Sequence, residues 1–223
     1  MNPFSDPEHV VQYTDRAPRS VPGYADLQRM ARLLLAERVP DDGRVLVIGA
    51  GGGLELKAFA QSQPGWRFVG VDPSGPMLRL AEQTLGPDAP RAALHEGYVE
   101  TAPEGPFDGA TCLLTLHFLS AAERVATLAE IRRRLKPGAP LVVAHHSIVE
   151  DQDERALWLG RFGAFAADAG LSAFRAPAAT QSLHASLPIL SPEADEHTLA
   201  DAGFSDVRLF WAALTFRGWV GYA

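Results

Sequence analysis

Cysteine is nearly absent from this chain of 223 residues, which has one, Cys112. A single cysteine cannot form an internal disulfide, and its apolar neighbours indicate a small core residue. No apolar run approaches the length needed to cross a bilayer, and residues 1–8 lack the charged and apolar blocks of a signal peptide. These absences argue against a disulfide-built scaffold and favour a cytoplasmic protein without a membrane partner.

Lysine is also scarce. It occurs only at Lys57 and Lys136, arginine supplies the other positive charges, and the formal net charge is −7 at pH 7. Because phosphate contacts need clustered Lys and Arg, this balance argues against a nucleic-acid partner. Hydrophobic residues make up 47% of the chain, whose length suits one domain with a sizeable core.

The chain is rich in glycine at one informative place. The apolar run Val45–Ile48 leads directly into Gly49, Ala50, Gly51 and a helix-like segment that follows Gly53. A continuous apolar run of this length predicts a strand buried on both faces of a parallel sheet. Glycines at the following turn let the backbone bend tightly and approach a ligand at the helix N-terminus. The pattern predicts a nucleotide-type cofactor site, and glycines needed only for packing are the alternative.

The spacing of the glycines narrows the choice of cofactor. A dinucleotide fingerprint would place its third glycine at position 54, which is Leu54. A second apolar strand ends at Asp72, roughly 20 residues beyond the turn, where a carboxylate that binds ribose hydroxyls belongs. Together these features resemble class I S-adenosylmethionine (SAM) dependent methyltransferases more than dehydrogenases.

Strand-like and helix-like segments alternate along the chain. Apolar runs near residues 67, 92, 108 and 141 predict further strands with helices between them, and two more strands finish the chain. This alternation predicts an α/β fold. We expect a single Rossmann-like, doubly wound domain with helices on both faces of a seven-stranded, mostly parallel sheet whose last strand is antiparallel.

The flanking segments differ from this core. Residues 1–23 hold four prolines, and we expect no long helix there, whereas residues 25–38 have helical spacing. The turn-rich stretch Phe174–Pro192 is longer than an ordinary connection, which is typical of lids and binding loops. The expected parts of the domain are an N-terminal lid and helix at 1–38, a cofactor-binding core at 44–146, an acceptor-side cover at 150–203 and a terminal strand pair at 206–222.

Further motifs resemble one branch of the methyltransferase superfamily, the carboxy-SAM synthases that serve tRNA wobble-uridine modification. They are Arg19–Tyr24, Leu114–Leu119, Phe216–Val220 and the Leu135–Gly138 turn. The resemblance implies that Tyr24 lies over the methionine end of SAM, that the glycine turn passes beneath it, and that residues after the second and third strands hold the ribose and adenine. The expected cofactor-binding residues are Tyr24, Gly49, Ala50, Gly51, Gly53, Asp72, Pro73, Gly97, Tyr98, Val99 and Leu113.

The sequence departs from the family pattern at three places. Methyltransferases usually carry an acid two residues before the first glycine, where this chain has Val47, and another after Gly97, where it has Tyr98. In the carboxy-SAM synthases an arginine binds the extra carboxylate, and Thr198 stands at that position. With these changes SAM binding remains the expectation, and they count against synthesis of carboxy-SAM.

Three histidines are the candidates for chemistry. Methyl transfer is a displacement at the sulfonium carbon of SAM, so a general base is needed only if the acceptor must lose a proton. His117 follows the fourth strand, and His145 and His146 end the fifth, where ligands bind in such sheets. A structural role for each histidine is the more common alternative, and we expect no metal site because no third ligand is suitably spaced.

Three functions therefore remain open. The leading hypothesis is a methyltransferase that transfers a methyl group from SAM to a small-molecule acceptor and releases S-adenosylhomocysteine (SAH). The first alternative is a carboxy-SAM synthase or another tRNA-modification enzyme. The second is a non-catalytic SAM-binding module, suggested by the acids missing at Val47 and Tyr98. A homodimer is compatible with all three.

Overall fold

A computed structural model describes residues 6–171, 174 and 187–223 of the chain. Its strands form one sheet with the order β3-β2-β1-β4-β5-β7-β6. The strands are β1 (Arg44–Ile48), β2 (Arg67–Asp72), β3 (Ala92–Glu96), β4 (Gly109–Leu113), β5 (Pro140–His146), β6 (Ser205–Ala213) and β7 (Phe216–Tyr222). The helices are α1 (Pro7–Ser20), α2 (Tyr24–Ala36), α3 (Leu54–Ser62), α4 (Gly75–Leu85), α5 (Ala121–Arg134), α6 (Gln152–Asp168) and α7 (Pro192–Asp201).

The direction of the strands confirms the expected fold class. Strands β1 to β5 pair in parallel, and β7 is antiparallel to both β5 and β6. The strand order reverses between β1 and β4, and ligands bind beyond the carboxyl ends of the strands at such a switch point.

Strand β1 explains why both faces of the sheet are covered. Val45 and Val47 pack into one apolar cluster with Leu56 of α3. Leu46 and Ile48 point to the opposite face and pack into a second cluster. Since successive side chains of a strand project to opposite faces, an unbroken apolar run is required when helices cover both sides.

Helix α1 corrects the expectation for residues 1–23. Pro7 occupies its first position, where a missing N–H removes no helical hydrogen bond. Pro18 lies in the last turn, so the helix is interrupted only where it ends. Arg19 then donates to the carbonyl of Ala169 from Nε at 2.8 Å and from Nη2 at 2.6 Å, which joins the end of α1 to the end of α6. The expectation of no long helix was wrong because prolines at the two ends of a helix are tolerated.

Two further observations concern the periphery. Within the described ranges, no helix is both long and apolar enough to span a membrane. Most of the predicted turn-rich stretch Phe174–Pro192 lies outside the described residues, so its predicted role as a cover stays a prediction.

Candidate functional site

A cavity of about 400 Å³ opens at the carboxyl ends of β1, β2 and β4. The first turns of α2 and α3 and the segments after β3 and β4 contribute to its wall. Every expected cofactor residue except Gly53 lines it. These lining residues are Tyr24, Gly49, Ala50, Gly51, Asp72, Pro73, Gly97, Tyr98, Val99 and Leu113.

The glycine turn after β1 has a conformation that other residues rarely adopt. Gly49 has φ 73° and Gly51 has φ 49°, both in the left-handed region. A Cβ added to Gly49 would collide with the Thr115 hydroxyl. Gly53 also has positive φ, but a Cβ there would lie 2.7 Å from the Cα of Ala81 in α4. Gly53 therefore allows α3 and α4 to pack closely and lies outside the cavity wall.

Asp72 connects the end of β2 to the glycine turn. Its Oδ2 accepts a hydrogen bond from the Gly51 N–H at 2.9 Å, and its Oδ1 accepts one from the Ser74 N–H at 2.9 Å. Burial raises the pKa of the carboxyl, and these two hydrogen bonds oppose the shift by stabilising the anion. The carboxylate has lone pairs left, so it can accept ribose hydroxyls while it holds the turn.

Glu55 is a cavity residue that the sequence did not single out. It lies in the first turn of α3 with 7% of its surface exposed, and its carboxylate accepts a hydrogen bond from the Thr111 hydroxyl of β4. Burial raises the pKa of Glu55 to about 7, and the bond from Thr111 opposes that shift. The sequence feature that could have identified Glu55 is an acid next to apolar residues in the segment that forms α3.

Two tyrosines cover the same end of the cavity. Tyr24, at the start of α2, was expected there. Tyr13 lies in α1, a helix that was not expected because of the prolines in that segment. A Cβ on Gly52 would lie 2.7 Å from Cδ1 of Tyr13, so this ring lies against the glycine turn. Burial, then Asp72 and Glu55, raise the pKa of Tyr13 to about 12. Burial also raises the pKa of Tyr24, with smaller contributions from Tyr13 and Glu55. Both hydroxyls are therefore neutral donors at neutral pH.

Two further aromatic residues of the cavity wall are more exposed than Tyr13 and Tyr24. Tyr98 is 65% exposed and Phe118 is 46% exposed, yet both line the cavity. Val99, which follows Tyr98 and also lines the cavity, is buried. Exposed aromatic faces beside a buried aliphatic residue suit a planar base, which agrees with the adenine pocket implied for Tyr98 and Val99.

Leu114 carries backbone strain at the cavity wall. It follows β4 with φ 58°, and its N–H donates to the Ala144 carbonyl at 2.5 Å. Such a conformation in a residue other than glycine persists only where its surroundings fix it, and it is concentrated at functional sites. The strained turn brings Leu113, Leu114 and Thr115 to the cavity beside Gly49.

The three candidate histidines do not line this cavity. Nε2 of His145 lies 3.1 Å from Oδ1 of Asp195, which also pairs with buried Arg124. Nδ1 of His146 hydrogen-bonds Thr215 at 2.9 Å, and Nδ1 of His117 accepts the His146 backbone N–H at 3.3 Å. The geometry thus gives each histidine a structural contact, and a catalytic role stays a prediction. In the described part of the chain, no group of three or more potential ligands is arranged to hold a metal ion.

The positions that depart from the family pattern are all structurally defined. Val47 is fully buried in the core. Thr198 is buried in α7, where its hydroxyl donates to the Asp195 carbonyl at 2.8 Å, and it does not line the cavity. Tyr98 presents its ring at the cavity mouth.

Comparisons with known proteins agree with this geometry. A family model described as a methyltransferase domain matches residues 45–138. A curated carboxy-S-adenosyl-L-methionine synthase from Chromohalobacter salexigens is 28% identical, over 98% of this chain and 83% of the relative.

Solved structures share the fold. PigF with SAH matches with a TM-score of 0.72 and 17% identity, over 99% of this chain and 61% of that one. Human N-acetylserotonin methyltransferase with SAM matches with a TM-score of 0.61 and 17% identity, over 98% of this chain and 59% of that one. The chain thus spans less than two thirds of the length of either structure. The resemblance inferred from the sequence motifs is confirmed.

Proposed function

We propose that the chain, whose residues 45–138 match the model of a methyltransferase domain, transfers a methyl group from SAM to a small-molecule acceptor. SAM is the cofactor of this class of proteins, and proteins of the same fold have been solved with SAM and with SAH. The proposal adds that the reaction is methyl transfer and that the acceptor is a small molecule.

The charge of the cavity wall is the observation that carries the proposal. Glu55, Asp72 and Glu100 line the cavity, whereas no Lys, Arg or His among the described residues does so. A wall of this kind attracts a cationic ligand and repels one with added negative charge. SAM carries a sulfonium and an ammonium group, so it suits this wall better than a ligand with a second carboxylate.

The protein groups have separate tasks in the proposed reaction. SAM supplies the activated methyl group, so the chain has to position the reactants and exclude water. The glycine turn supports the cofactor, Asp72 holds the ribose, and Tyr98 and Val99 contact the adenine. Tyr13 and Tyr24 close the opposite end and keep water from the sulfonium.

Carboxy-SAM synthesis is the second candidate because the curated relative at 28% identity has that name. That chemistry needs a cation for the extra carboxylate. Thr198 cannot supply one, and the described wall of the cavity has none. A SAM-binding module without catalysis is the third candidate, because Val47 and Tyr98 replace two customary acids.

Mass spectrometry and acceptor screening separate the three candidates. The purified protein is denatured and its released ligand weighed, then the protein is incubated with methyl-labelled SAM and a library of small-molecule acceptors. The proposal expects SAM or SAH as the ligand and label transferred to an acceptor. A released ligand one carboxylate heavier than SAM would overturn it in favour of carboxy-SAM synthesis. Tight SAM binding without transfer to any acceptor would favour the non-catalytic module.

A further inference from the structure

The carboxylate of Glu55 lies beside the place where the customary acid is missing. Val47 of β1 and Thr111 of β4 are paired in register, so their side chains project to the same face of the sheet. Glu55 reaches Thr111 on that face from the first turn of α3. An acid is therefore present at this spot, although a helix supplies it instead of β1.

The carboxyl group of Glu55 has no cationic partner in the described part of the chain. Among the described residues, no Lys, Arg or His nitrogen contributes to its environment, and the only polar side chain that hydrogen-bonds it is Thr111. A buried carboxylate in this situation is costly unless a cation is brought to it. Glu55 also lines the cavity at the end covered by Tyr13 and Tyr24, so a ligand can reach it.

We propose that Glu55, oriented by Thr111, binds the α-ammonium group of the methionyl part of the cofactor and replaces the acid missing at position 47. This inference rests on the proposed function, because it assumes that SAM enters the cavity. The α-ammonium is the one fixed cationic group of the ligand that SAH retains after methyl transfer, so Glu55 would hold donor and product alike.

The test measures by calorimetry how the wild type and Glu55→Gln bind two ligands. Glu55→Gln keeps an acceptor for the Thr111 hydroxyl and removes the charge. The ligands are SAH and an SAH analogue in which hydrogen replaces the α-amino group. We expect Glu55→Gln to lower SAH affinity by about tenfold to a hundredfold, the range of a lost charge-assisted hydrogen bond, and to leave the des-amino analogue unchanged.

Glu193→Gln is the matched control. Glu193 also lies in the first turn of a helix, α7, but it is exposed to solvent and does not line the cavity, so neutralising it should leave the affinity for both ligands unchanged. Circular dichroism and thermal unfolding establish that both variants are folded. A wild-type protein that binds neither ligand would defeat the proposed function. If the wild type binds SAH and Glu55→Gln binds it equally well, only the role of Glu55 is defeated. The same holds if Glu55→Gln loses as much affinity for the des-amino analogue as for SAH.

A second measurement on the wild-type protein keeps the inference testable if Glu55→Gln does not fold. Of the residues that the structure describes, the titratable groups that interact with Glu55 are Tyr13, Tyr24 and Cys112, and Asp72 also interacts with Tyr13. Burial raises the pKa of Cys112, as it does for the two tyrosines, so these three stay neutral in the acid range. The ratio of SAH affinity to that of the des-amino analogue should fall as pH drops from about 7.5 to about 5.5, because protonation removes the charge that selects ammonium. A constant ratio would overturn the inference.

Discussion

Oδ2 of Asp72 accepts a hydrogen bond from the N–H of Gly51 at 2.9 Å. The acid at the end of β2 is thereby fixed to the glycine turn at the end of β1, and its Oδ1 is fixed to Ser74. Asp72 therefore shapes the cavity as well as offering lone pairs to the ribose. A change at this residue should affect both ligand affinity and folding stability.

Asp72→Asn tests this double role. The amide retains one acceptor oxygen but leaves one of the two backbone N–H groups without an acceptor, which should lower the free energy of unfolding by about 1–3 kcal/mol. Loss of charge-assisted bonds to the ribose should weaken SAH binding by about tenfold to a hundredfold. Urea unfolding and calorimetry measure the two effects.

Asp108→Asn is the control for Asp72→Asn. Asp108 also accepts a backbone N–H, that of Arg44 at 2.8 Å, but it precedes β4 and lies away from the cavity wall. It should lose stability without losing SAH affinity. Unchanged SAH affinity in folded Asp72→Asn would show that the ribose is held elsewhere.

Gly52→Ala tests the contact between Tyr13 and the glycine turn. The φ of Gly52 is outside the left-handed region, so alanine fits the backbone, but its Cβ would lie 2.7 Å from Cδ1 of Tyr13 and 3.0 Å from Cδ2 of Leu80. We expect α1 to be displaced and the free energy of unfolding to fall by about 1–3 kcal/mol, the usual range for overpacking. Amide exchange in α1 should rise.

Gly160→Ala, in the middle of α6, is the matched substitution with open space around it. It should raise the free energy of unfolding by roughly 0.5–1 kcal/mol because alanine favours a helix. If the free energy of unfolding changed in the same direction in Gly52→Ala and Gly160→Ala, the described position of Tyr13 would be contradicted.

The pKa of Glu55 makes a prediction about stability and pH. Its pKa in the folded protein, about 7, lies above the ordinary value of 4.5, so the folded state binds the proton more tightly and stability falls as pH rises between these values. Glu55→Gln does not titrate. It should therefore be more stable than the wild type by roughly 3 kcal/mol above pH 7 and by almost nothing near pH 4. Urea unfolding across this range measures the difference. If the difference in the free energy of unfolding between Glu55→Gln and the wild type does not grow with pH, the pKa of Glu55 is not raised in the folded protein.

The segment before α2 is predicted to be a cofactor-gated lid, with Tyr24 closing on the methionine end of SAM. Closure excludes water and completes the site, so amides around Ser20–Ala25 should gain protection from exchange when SAH binds. Tyr24→Ala should weaken SAH binding, whereas Tyr24→Phe, which keeps the ring, should retain most of it. Equal exchange with and without SAH, together with unchanged affinity in Tyr24→Ala, would leave Tyr24 a packed helix-start residue.

The central sheet was predictable because its determinants are local. An apolar run such as Val45–Ile48 that ends in glycines predicts a strand covered on both sides, and the glycines mark the turn where the backbone meets a ligand. Asp72 followed from its spacing to that turn. These features lie within about 30 residues of each other in the chain, the span of one βαβ unit.

The rest of the site depends on contacts between distant segments. Glu55 and Thr111 are hydrogen-bonded although they lie 56 positions apart in the chain, and the helix pattern of α3 does not predict that partner. Tyr13 reaches the cavity because α1 packs against α2 and α4. The prolines of that segment argued against a helix, so the sequence did not place Tyr13 there. The histidines looked favourable because they end strands, yet β5 directs His145 and His146 into contacts with Asp195 and Thr215.

The most direct test of the central claim is a calorimetric comparison of SAM and carboxy-SAM on the wild-type protein. The described cavity wall carries acids and no cation, and like charges brought together in a binding site cost several kcal/mol. We expect measurable binding of SAM and an affinity for carboxy-SAM that is lower by at least about tenfold. Tighter binding of carboxy-SAM, or no heat with either ligand at millimolar concentration, would contradict the account.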